Sequence, residues 1–203
     1  MFRWCALAVF GTCLALSAHR RWQARRVGGA IPRSRETATL IAGRILVAVP
    51  LFGGVVAHLV NPGWMAWASF DIATWIRWIG LALGFMVTVW LNWVLSTLGA
   101  NISETVLTKE RHQLVTTGPY RWVRHPLYVG AIALFVSIGL MLASWFILFW
   151  TAVAMIALRA VVIPQEEAQL VAKFGERYQS YQSRTGPLWP TTSRADEGRR
   201  SGA

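Results

Sequence analysis

Two short segments in the second half of the chain carry the side chains best suited to chemistry. The first contains Arg124-His125-Pro126-Leu127-Tyr128. His125 precedes a proline, which favours extended backbone, and Pro126 suits the first turn of a helix, where a missing N–H breaks no intrahelical bond. His125 is therefore predicted to lie at a helix N-terminus, which favours an anionic group such as a carboxylate or a phosphate. Tyr128 can add a hydroxyl from the same turn.

The second segment offers the opposite charge. Glu166 and Glu167 stand together just after Pro164, in a chain with only nine acidic residues. They are predicted to lie in the first turn of a new helix, where capping alone is worth about 0.3–1 kcal/mol each. At the point where a helix leaves a membrane, such a carboxylate could instead pair with an ammonium or sulfonium group. Apolar and aromatic residues then recur at helical spacing and predict an amphipathic face that rests on the bilayer or the core: Leu170, Phe174, Tyr178 and Tyr181.

The composition indicates that these segments are positioned by membrane helices. Of the 203 residues, 55% are hydrophobic, 14% are charged and twelve are Trp, whereas soluble domains carry roughly 25% charged residues. Trp is typical of membrane interfaces. The net charge of +11 would suit nucleic acid, but the basic residues lie between apolar spans. Positive loops beside anionic lipid explain the charge better, so no nucleic-acid partner is expected.

Histidine and cysteine do not form a metal-binding pattern. Cys5 and Cys13 share the first apolar segment, where they are expected to face lipid, and no disulfide framework is predicted. No pair of histidines has zinc-site spacing, so no metal is expected. The four histidines are His19, His58, His112 and His125.

About five apolar spans are predicted, at residues 4–18, 39–60 and 75–98 and as a helical hairpin within 127–163 that turns at Ala143-Ser144 and ends at Pro164. The first span competes with a signal peptide, but a poor cleavage pattern and the following His-Arg-Arg favour a retained helix. The predicted fold is an all-α integral membrane protein with a cytoplasmic amphipathic tail helix. Its expected parts are N-terminal helices (1–98), a core (99–190) and a disordered tail (191–203).

The basic residues predict the orientation of these spans. Sixteen of the 20 lie in three stretches on one predicted side: the loop after the first span, the loop before the fourth and the C-terminal tail. The positive-inside rule then places the N-terminus outside and the C-terminus in the cytoplasm, in what we expect to be a bacterial cell membrane. Arg121 and Arg124 are interpreted as interface anchors.

The two segments together resemble a known family. An R-H-P-x-Y-x-G loop, a two-helix hairpin, then E-E-x-x-L and F-G-x-x-Y-x-x-Y is similar to the isoprenylcysteine carboxyl methyltransferases over about residues 99–190, and phosphatidylethanolamine methyltransferases share a similar layout. The resemblance implies that S-adenosylmethionine is enclosed between the helices and the C-terminal segment. The cofactor contacts it implies are His112, Gln113, Leu114, Val115, Tyr120, His125, Pro126, Leu127, Tyr128 and Glu166.

The resemblance also suggests an acceptor and a mechanism. Eukaryotic members carry a substrate-contacting arginine about one turn before the glutamates, where this chain has Val161–Ile163. The nearest basic residue, Arg159, is the substrate-binding candidate, and prenylcysteine becomes a less expected substrate than another lipid or isoprenoid. A carboxylate acceptor, which is favoured, needs no base, so catalysis rests on alignment. An amine or hydroxyl would need His125 or Glu167 as proton acceptor.

Two other functions stay open. Some NADPH-dependent sterol reductases end in a similar motif, although they are larger. A non-enzymatic membrane protein or transporter subunit would need ionisable groups in mid-membrane, which the spans largely lack outside Arg44 and Arg159. The expected partners are a lipidic small-molecule substrate and membrane lipid, with no obligate protein partner.

Overall fold

The computed structural model describes residues 1–28, 38–99 and 114–191. Within these ranges the chain forms helices joined by short loops. Two isolated β-bridges join Ser69 to Ser144 and Val123 to Gly186. The α-helices of the described ranges are α1 (Phe2–Gly28), α2 (Ala38–Val60), α3 (Thr74–Leu98), α4 (Pro126–Leu142), α5 (Trp145–Ala157), α6 (Ile163–Phe174) and α7 (Glu176–Arg184). Short 3₁₀ turns cover Pro62–Ala68 and Gly118–Arg121. The predicted all-α class is confirmed.

The helices divide by length and apolarity. Three are long and apolar enough to cross a membrane: Phe2–Ala24 within α1, Thr74–Leu98, and the stretch Trp145–Phe174. Two shorter apolar helices, Ile45–Val60 and Pro126–Leu142, accompany them. The prediction of a multi-pass all-α membrane protein is confirmed. Of the roughly five spans expected, three reach full length by this measure in the part of the chain that is described.

Small residues allow the helices that carry the site to pack closely. α4 packs along α3 and also contacts α1 and α5. A Cβ atom at Gly80 of α3 would lie 3.0 Å from the Ser137 carbonyl oxygen of α4, and one at Gly130 of α4 would lie 2.5 Å from Leu91 of α3. Close approach at glycine is a common way for helices to associate where lipid removes the hydrophobic driving force. The α3–α4 contact therefore holds the start of α4 in a fixed place.

The helical hairpin turns where the sequence predicts. Ala143 adopts the left-handed conformation (φ 51°, ψ 49°), and the Ser144 hydroxyl caps α5 by accepting a hydrogen bond from the Ile147 N–H at 3.5 Å. The left-handed conformation costs a residue other than glycine roughly 1–2 kcal/mol, because its Cβ approaches the backbone. Alanine has the smallest side chain of the residues that carry a Cβ. The predicted turn at Ala143-Ser144 is confirmed.

The prediction that Pro164 ends the fifth span is wrong. The helix continues from Trp145 to Phe174 through a π-helical turn at Leu158–Val162, in which the Ile163 N–H bonds to the Leu158 carbonyl oxygen. The wider turn allows Pro164 to occupy the first turn of α6 without interrupting the helix. Proline has no backbone N–H to donate, and the first turn of a helix does not require that hydrogen bond. Glu166 lies in the first turn of α6, as expected, but on a continuous helix.

The prediction that both cysteines face lipid is wrong for Cys13. Its side chain is only 5% exposed, belongs to the central apolar core and lies with its Sγ 3.4 Å from the Thr88 Oγ1 of α3. Cys5 is half-buried and packs against the same core. α1 turns this face inward because Phe2, Ala6 and Phe10 recur beside the cysteines at helical spacing and are buried with them.

Candidate functional site

His125 lies at the N-cap position of α4, where the sequence predicts it. Its backbone is non-helical (φ −122°, ψ 59°), its side chain is buried, and Pro126 occupies the first turn. The backbone N–H of His125 donates to the Pro187 carbonyl oxygen at 3.0 Å, and that of Arg124 donates to the Gly186 carbonyl oxygen at 2.8 Å. The segment after α7 therefore lies directly against the loop that enters α4.

The two chemically promising segments meet at the His125 imidazole. Its Nε2 is 3.1 Å from Glu167 Oε1, and its Nδ1 is 3.6 Å from Glu166 Oε2. The Tyr128 hydroxyl donates to Glu166 Oε2 at 2.9 Å, and its ring stacks on the imidazole with 5.6 Å between ring centroids and 14° between ring planes. One turn of α4 and one turn of α6 thus form a single cluster of His125, Tyr128, Glu166 and Glu167, called here the glutamate–histidine cluster.

Glu167 is held by more donors than His125 alone. Arg124 Nε donates to its Oε1 at 2.7 Å, and Gln182 Nε2 donates to its Oε2 at 3.1 Å. The Arg124 and Glu167 side chains are 10% and 15% exposed, so this charge-assisted pair is largely shielded from water. Arg124 Nη1 also donates to the backbone carbonyls of Gln182, at 3.0 Å, and of Thr185. Arg124 therefore joins the loop before α4, helix α6 and the end of α7.

Tyr120 closes the loop side of the cluster. It is buried in the Gly118–Arg121 turn, and its carbonyl oxygen accepts a hydrogen bond from the Tyr181 hydroxyl at 2.6 Å. Burial, together with the nearby Glu166 carboxylate, raises the pKa of the Tyr120 phenol well above its ordinary value. Burial also raises the pKa of Tyr181. Both phenols are therefore neutral donors at physiological pH.

The other residues that resemblance assigns to the cofactor lie at varied distances from this cluster. Pro126 is buried and its carbonyl oxygen accepts a hydrogen bond from Trp90 Nε1 at 3.0 Å, while Leu127 packs against the apolar core. Leu114 and Val115 are half-buried and lie outside regular secondary structure. His112 and Gln113 lie outside the described residues.

Arg159 stands apart from the cluster. It is exposed on the π-helical turn. Among the described residues, the hydrogen bonds and ion pairs that join the cluster do not involve it. The substrate-binding assignment of Arg159 stays a prediction.

Sequence reasoning missed Arg124 and Gln182. The interpretation of Arg124 as an interface anchor is wrong, because its guanidinium is buried against Glu167, whereas Arg121 is exposed. The signal available was an arginine directly before His125 in a chain with an adjacent glutamate pair. Gln182 carried no such signal, because only the fold brings the second turn of α7 beside Glu167.

The arrangement suits a ligand with both charges. Glu166 is 27% exposed, and among the described residues its Oε1 accepts no hydrogen bond, so it is available to an ammonium group. The N-terminus of α4 and the His125 ring suit a carboxylate. A zwitterionic amino-acid moiety therefore matches the donor and acceptor set.

Comparison with known proteins connects this geometry to a family. The model of the isoprenylcysteine carboxyl methyltransferase family matches residues 78–172. A protein-S-isoprenylcysteine O-methyltransferase of Xenopus laevis is 31% identical over 131 residues, which cover 59% of this chain and 46% of that protein. The corresponding protein of Tribolium castaneum is 29% identical over 149 residues, covering 60% and 47%. The chain thus spans about half the length of these relatives.

Two further similarities extend beyond the family segment. A nickel-cobalt-cadmium resistance protein, NccN, of Alcaligenes xylosoxydans xylosoxydans is 29% identical over 151 residues, covering 74% of this chain and 63% of that protein. The solved structure of the eukaryotic intramembrane Ras methyltransferase, isoprenylcysteine carboxyl methyltransferase, superposes with a TM-score of 0.54 at 22% identity, covering 92% of this chain and 67% of that one. That likeness shows a shared fold. Residues 78–172, with the loop and hairpin that build most of the candidate site, match the model of the isoprenylcysteine carboxyl methyltransferase family.

Proposed function

We propose that this protein is an S-adenosylmethionine-dependent methyltransferase that acts within the membrane on a lipidic or isoprenoid acceptor. The observation that carries the proposal is the glutamate–histidine cluster, formed within the family segment at the end of two apolar helices. O-methylation of a carboxylate is the favoured reaction, in line with the similarity to protein-S-isoprenylcysteine O-methyltransferases.

The described residues are suited to the cofactor's amino-acid moiety. Glu166 would hold the ammonium group, and the α4 N-terminus with His125 would hold the carboxylate. Tyr120 supplies a neutral, buried wall beside Glu166. When bound, S-adenosylmethionine supplies an electrophilic methyl group. His112, Gln113, Leu114, Val115, Pro126 and Leu127 stay proposed contacts on the strength of the family resemblance.

Glu167 and His125 would act differently. Glu167 is engaged by Arg124, His125 and Gln182, which favours a role in orienting the imidazole. A carboxylate acceptor is already ionised at neutral pH, so alignment and exclusion of water would carry catalysis. If the acceptor is an amine or hydroxyl, His125 is better placed than Glu167 to receive its proton, because its Nδ1 meets no partner closer than 3.6 Å among the described residues.

The acceptor is proposed to enter from the lipid. Three tryptophans cluster where α3 meets the loop before α4: Trp93 and Trp122 contact edge to face at 5.4 Å between ring centroids, and Trp90 reaches the Pro126 carbonyl. Tryptophan favours the membrane interface, so these three tryptophans indicate the depth of that interface beside α4. An amphiphile could place its head there and leave its tail among the helices. The turn before the glutamates supplies no cation, since Val162 and Ile163 are buried apolar residues.

The test begins with ligand binding to the purified protein in detergent. Calorimetry should detect S-adenosylmethionine and not NADPH, since the cluster suits a zwitterion. Binding of NADPH alone would favour the reductase. If neither ligand binds, both the methyltransferase and the reductase proposals are contradicted. With radiolabelled S-adenosylmethionine, a lipid of a total lipid extract should then receive more label than S-farnesylcysteine offered as the acceptor in a parallel reaction. Label found only in a water-soluble product would contradict a lipidic acceptor.

A further inference from the structure

A second polar site lies beside the cluster, between the loop before α4 and helix α7. It is an open groove of about 750 Å³ whose walls include Leu114, Tyr181 and Ser180. Among the described residues, three arginines line it, Arg121, Arg177 and Arg184, with one carboxylate, Glu176. Neither Glu166 nor Glu167 lines this arginine groove. Its charge is therefore opposite to that of the glutamate–histidine cluster.

The three guanidinium groups are available to a ligand. All three arginines are exposed, and in the described part of the chain no ion pair joins them to a carboxylate. Arg184 is oriented by hydrogen bonds from its Nε to the Ser180 carbonyl oxygen at 3.0 Å and from its Nη2 to Ser180 Oγ at 3.2 Å. A concave site with several unpaired guanidiniums attracts anions, and the guanidinium fork matches the oxygens of a phosphate.

The aromatic residues around the groove indicate its depth. Trp122 follows Arg121 directly and is 41% exposed, and Trp189, at the end of the turn that begins beside Thr185, is 70% exposed. Exposed tryptophan close to basic residues is typical of the headgroup region. These residues favour a position for the groove at the level of the phospholipid phosphates.

Leu114 is also a proposed cofactor contact, but the cofactor is a poor match for the charge of this groove. S-adenosylmethionine carries a sulfonium and an ammonium against one carboxylate, so it is net positive at neutral pH. Three guanidiniums against one carboxylate would repel it. An anionic phospholipid fits both the charge and the depth.

We propose that the arginine groove binds the phosphate of an anionic membrane phospholipid. Bound lipid would hold α7 and the segment after it against the bilayer, which keeps Gln182 and Thr185 beside Arg124. The lipid would bind in the groove whether or not methyl transfer takes place. It assigns a use to arginines that the glutamate–histidine cluster leaves aside.

The test measures lipid binding to the purified full-length chain in a nonionic detergent. Fluorescent phosphatidylglycerol should bind with an affinity at least about tenfold higher than that of fluorescent phosphatidylcholine. Arg121→Gln, Arg177→Gln and Arg184→Gln together should remove that preference. The matched control replaces Arg194, Arg199 and Arg200 by Gln, which subtracts the same charge elsewhere, and should keep it. Equal loss in both triple variants would show unspecific attraction and overturn the proposal.

Three further arms identify the ligand. Excess glycerol 3-phosphate should displace the lipid, and no displacement would overturn the assignment to phosphate. Glycerol 3-phosphate binding as tightly as phosphatidylglycerol would make a soluble ester the ligand and overturn the lipid source. S-adenosylmethionine should not displace it, since displacement would place the groove in the cofactor site. If the triple variant fails to fold, Arg177→Gln alone should still weaken phosphatidylglycerol binding, and unchanged binding would overturn the proposal.

Discussion

At the scale of single residues, charge pairing divides the site into two halves. Glu167 is enclosed by Arg124, His125 and Gln182, whereas Glu166 keeps one carboxylate oxygen without a partner in the described part of the chain. A carboxylate that is already satisfied stabilises the protein around it, and one that is half satisfied can still bind. The two adjacent glutamates should therefore respond differently to mutation.

Glu166→Gln should weaken S-adenosylmethionine binding and leave the fold intact. Loss of one charge-assisted contact costs about 1.5–3 kcal/mol, which is roughly ten- to a hundredfold in affinity. His125→Ala and Tyr120→Ala should weaken binding as well, and calorimetry measures all three. Glu176→Gln, which removes the same charge from an exposed position on α7, is the control. Normal binding by all three variants would refute the assignment.

Arg124→Gln should instead destabilise the protein. Removing one partner of a largely buried pair costs about 3–5 kcal/mol, because the remaining carboxylate is left without its countercharge. Thermal unfolding in detergent should show a clear drop in midpoint. Arg121→Gln, a change at an exposed arginine in the same loop, should leave the midpoint nearly unchanged. A double variant with Glu167→Gln should lose less than the sum of the single losses.

The residues that could be predicted are those that a motif groups together. His125, Tyr128 and Glu166 were predicted for one site, and they lie within hydrogen-bond or ion-pair distance of one another. Arg124 was assigned to the interface because a sequence does not reveal which arginine of a basic loop turns inward. Gln182 was not predicted at all, since its position depends on how α7 packs.

At the scale of helices, the register of α6 depends on the π-helical turn. Local sequence predicted the hairpin at Ala143-Ser144, because small and capping residues interrupt a long apolar run there. It failed at Pro164, because proline usually ends a helix and a single wide turn that accommodates it has no strong local signature. That turn also sets the direction in which Glu166 and Glu167 point.

Inserting one alanine between Val161 and Val162 should separate the two halves of the site. The π turn already accommodates one residue more than regular α-helix, so a further residue would enter as α-helix and rotate α6 by about 100° relative to α5. The glutamates would then leave His125, so S-adenosylmethionine binding should vanish while far-ultraviolet circular dichroism keeps its helical signal. Val161→Ala, which keeps the residue count at this exposed position, should bind normally. Retained affinity in the insertion variant would mean that the register is set elsewhere.

At the scale of the whole molecule, the orientation in the membrane stays a prediction. It rests on the sixteen basic residues that share one predicted side. The fold agrees with the multi-pass architecture, but the helices alone do not define which side faces the cytoplasm.

A reporter fused after Pro190 should be active only if it is of the type that works in the cytoplasm. A second fusion after Gly63, in the turn between α2 and α3, should report the opposite compartment. Matching signals from the two positions would mean that a span was miscounted. A Pro190 fusion that is active outside, together with a Gly63 fusion that is active in the cytoplasm, would mean that the positive-inside assignment is wrong.

The hydrogen bonds that Arg124 makes to Gln182 and Thr185 also bear on where this protein can be shortened. The family match ends at residue 172, yet the donors and carbonyls that enclose Arg124 and Glu167 come from residues 182–185. The segment that matches the family model is thus shorter than the unit that must fold together. A fragment trimmed at the family boundary would keep the glutamates and lose the tail that orients them, so any chimera built from such domains should be joined beyond Leu188.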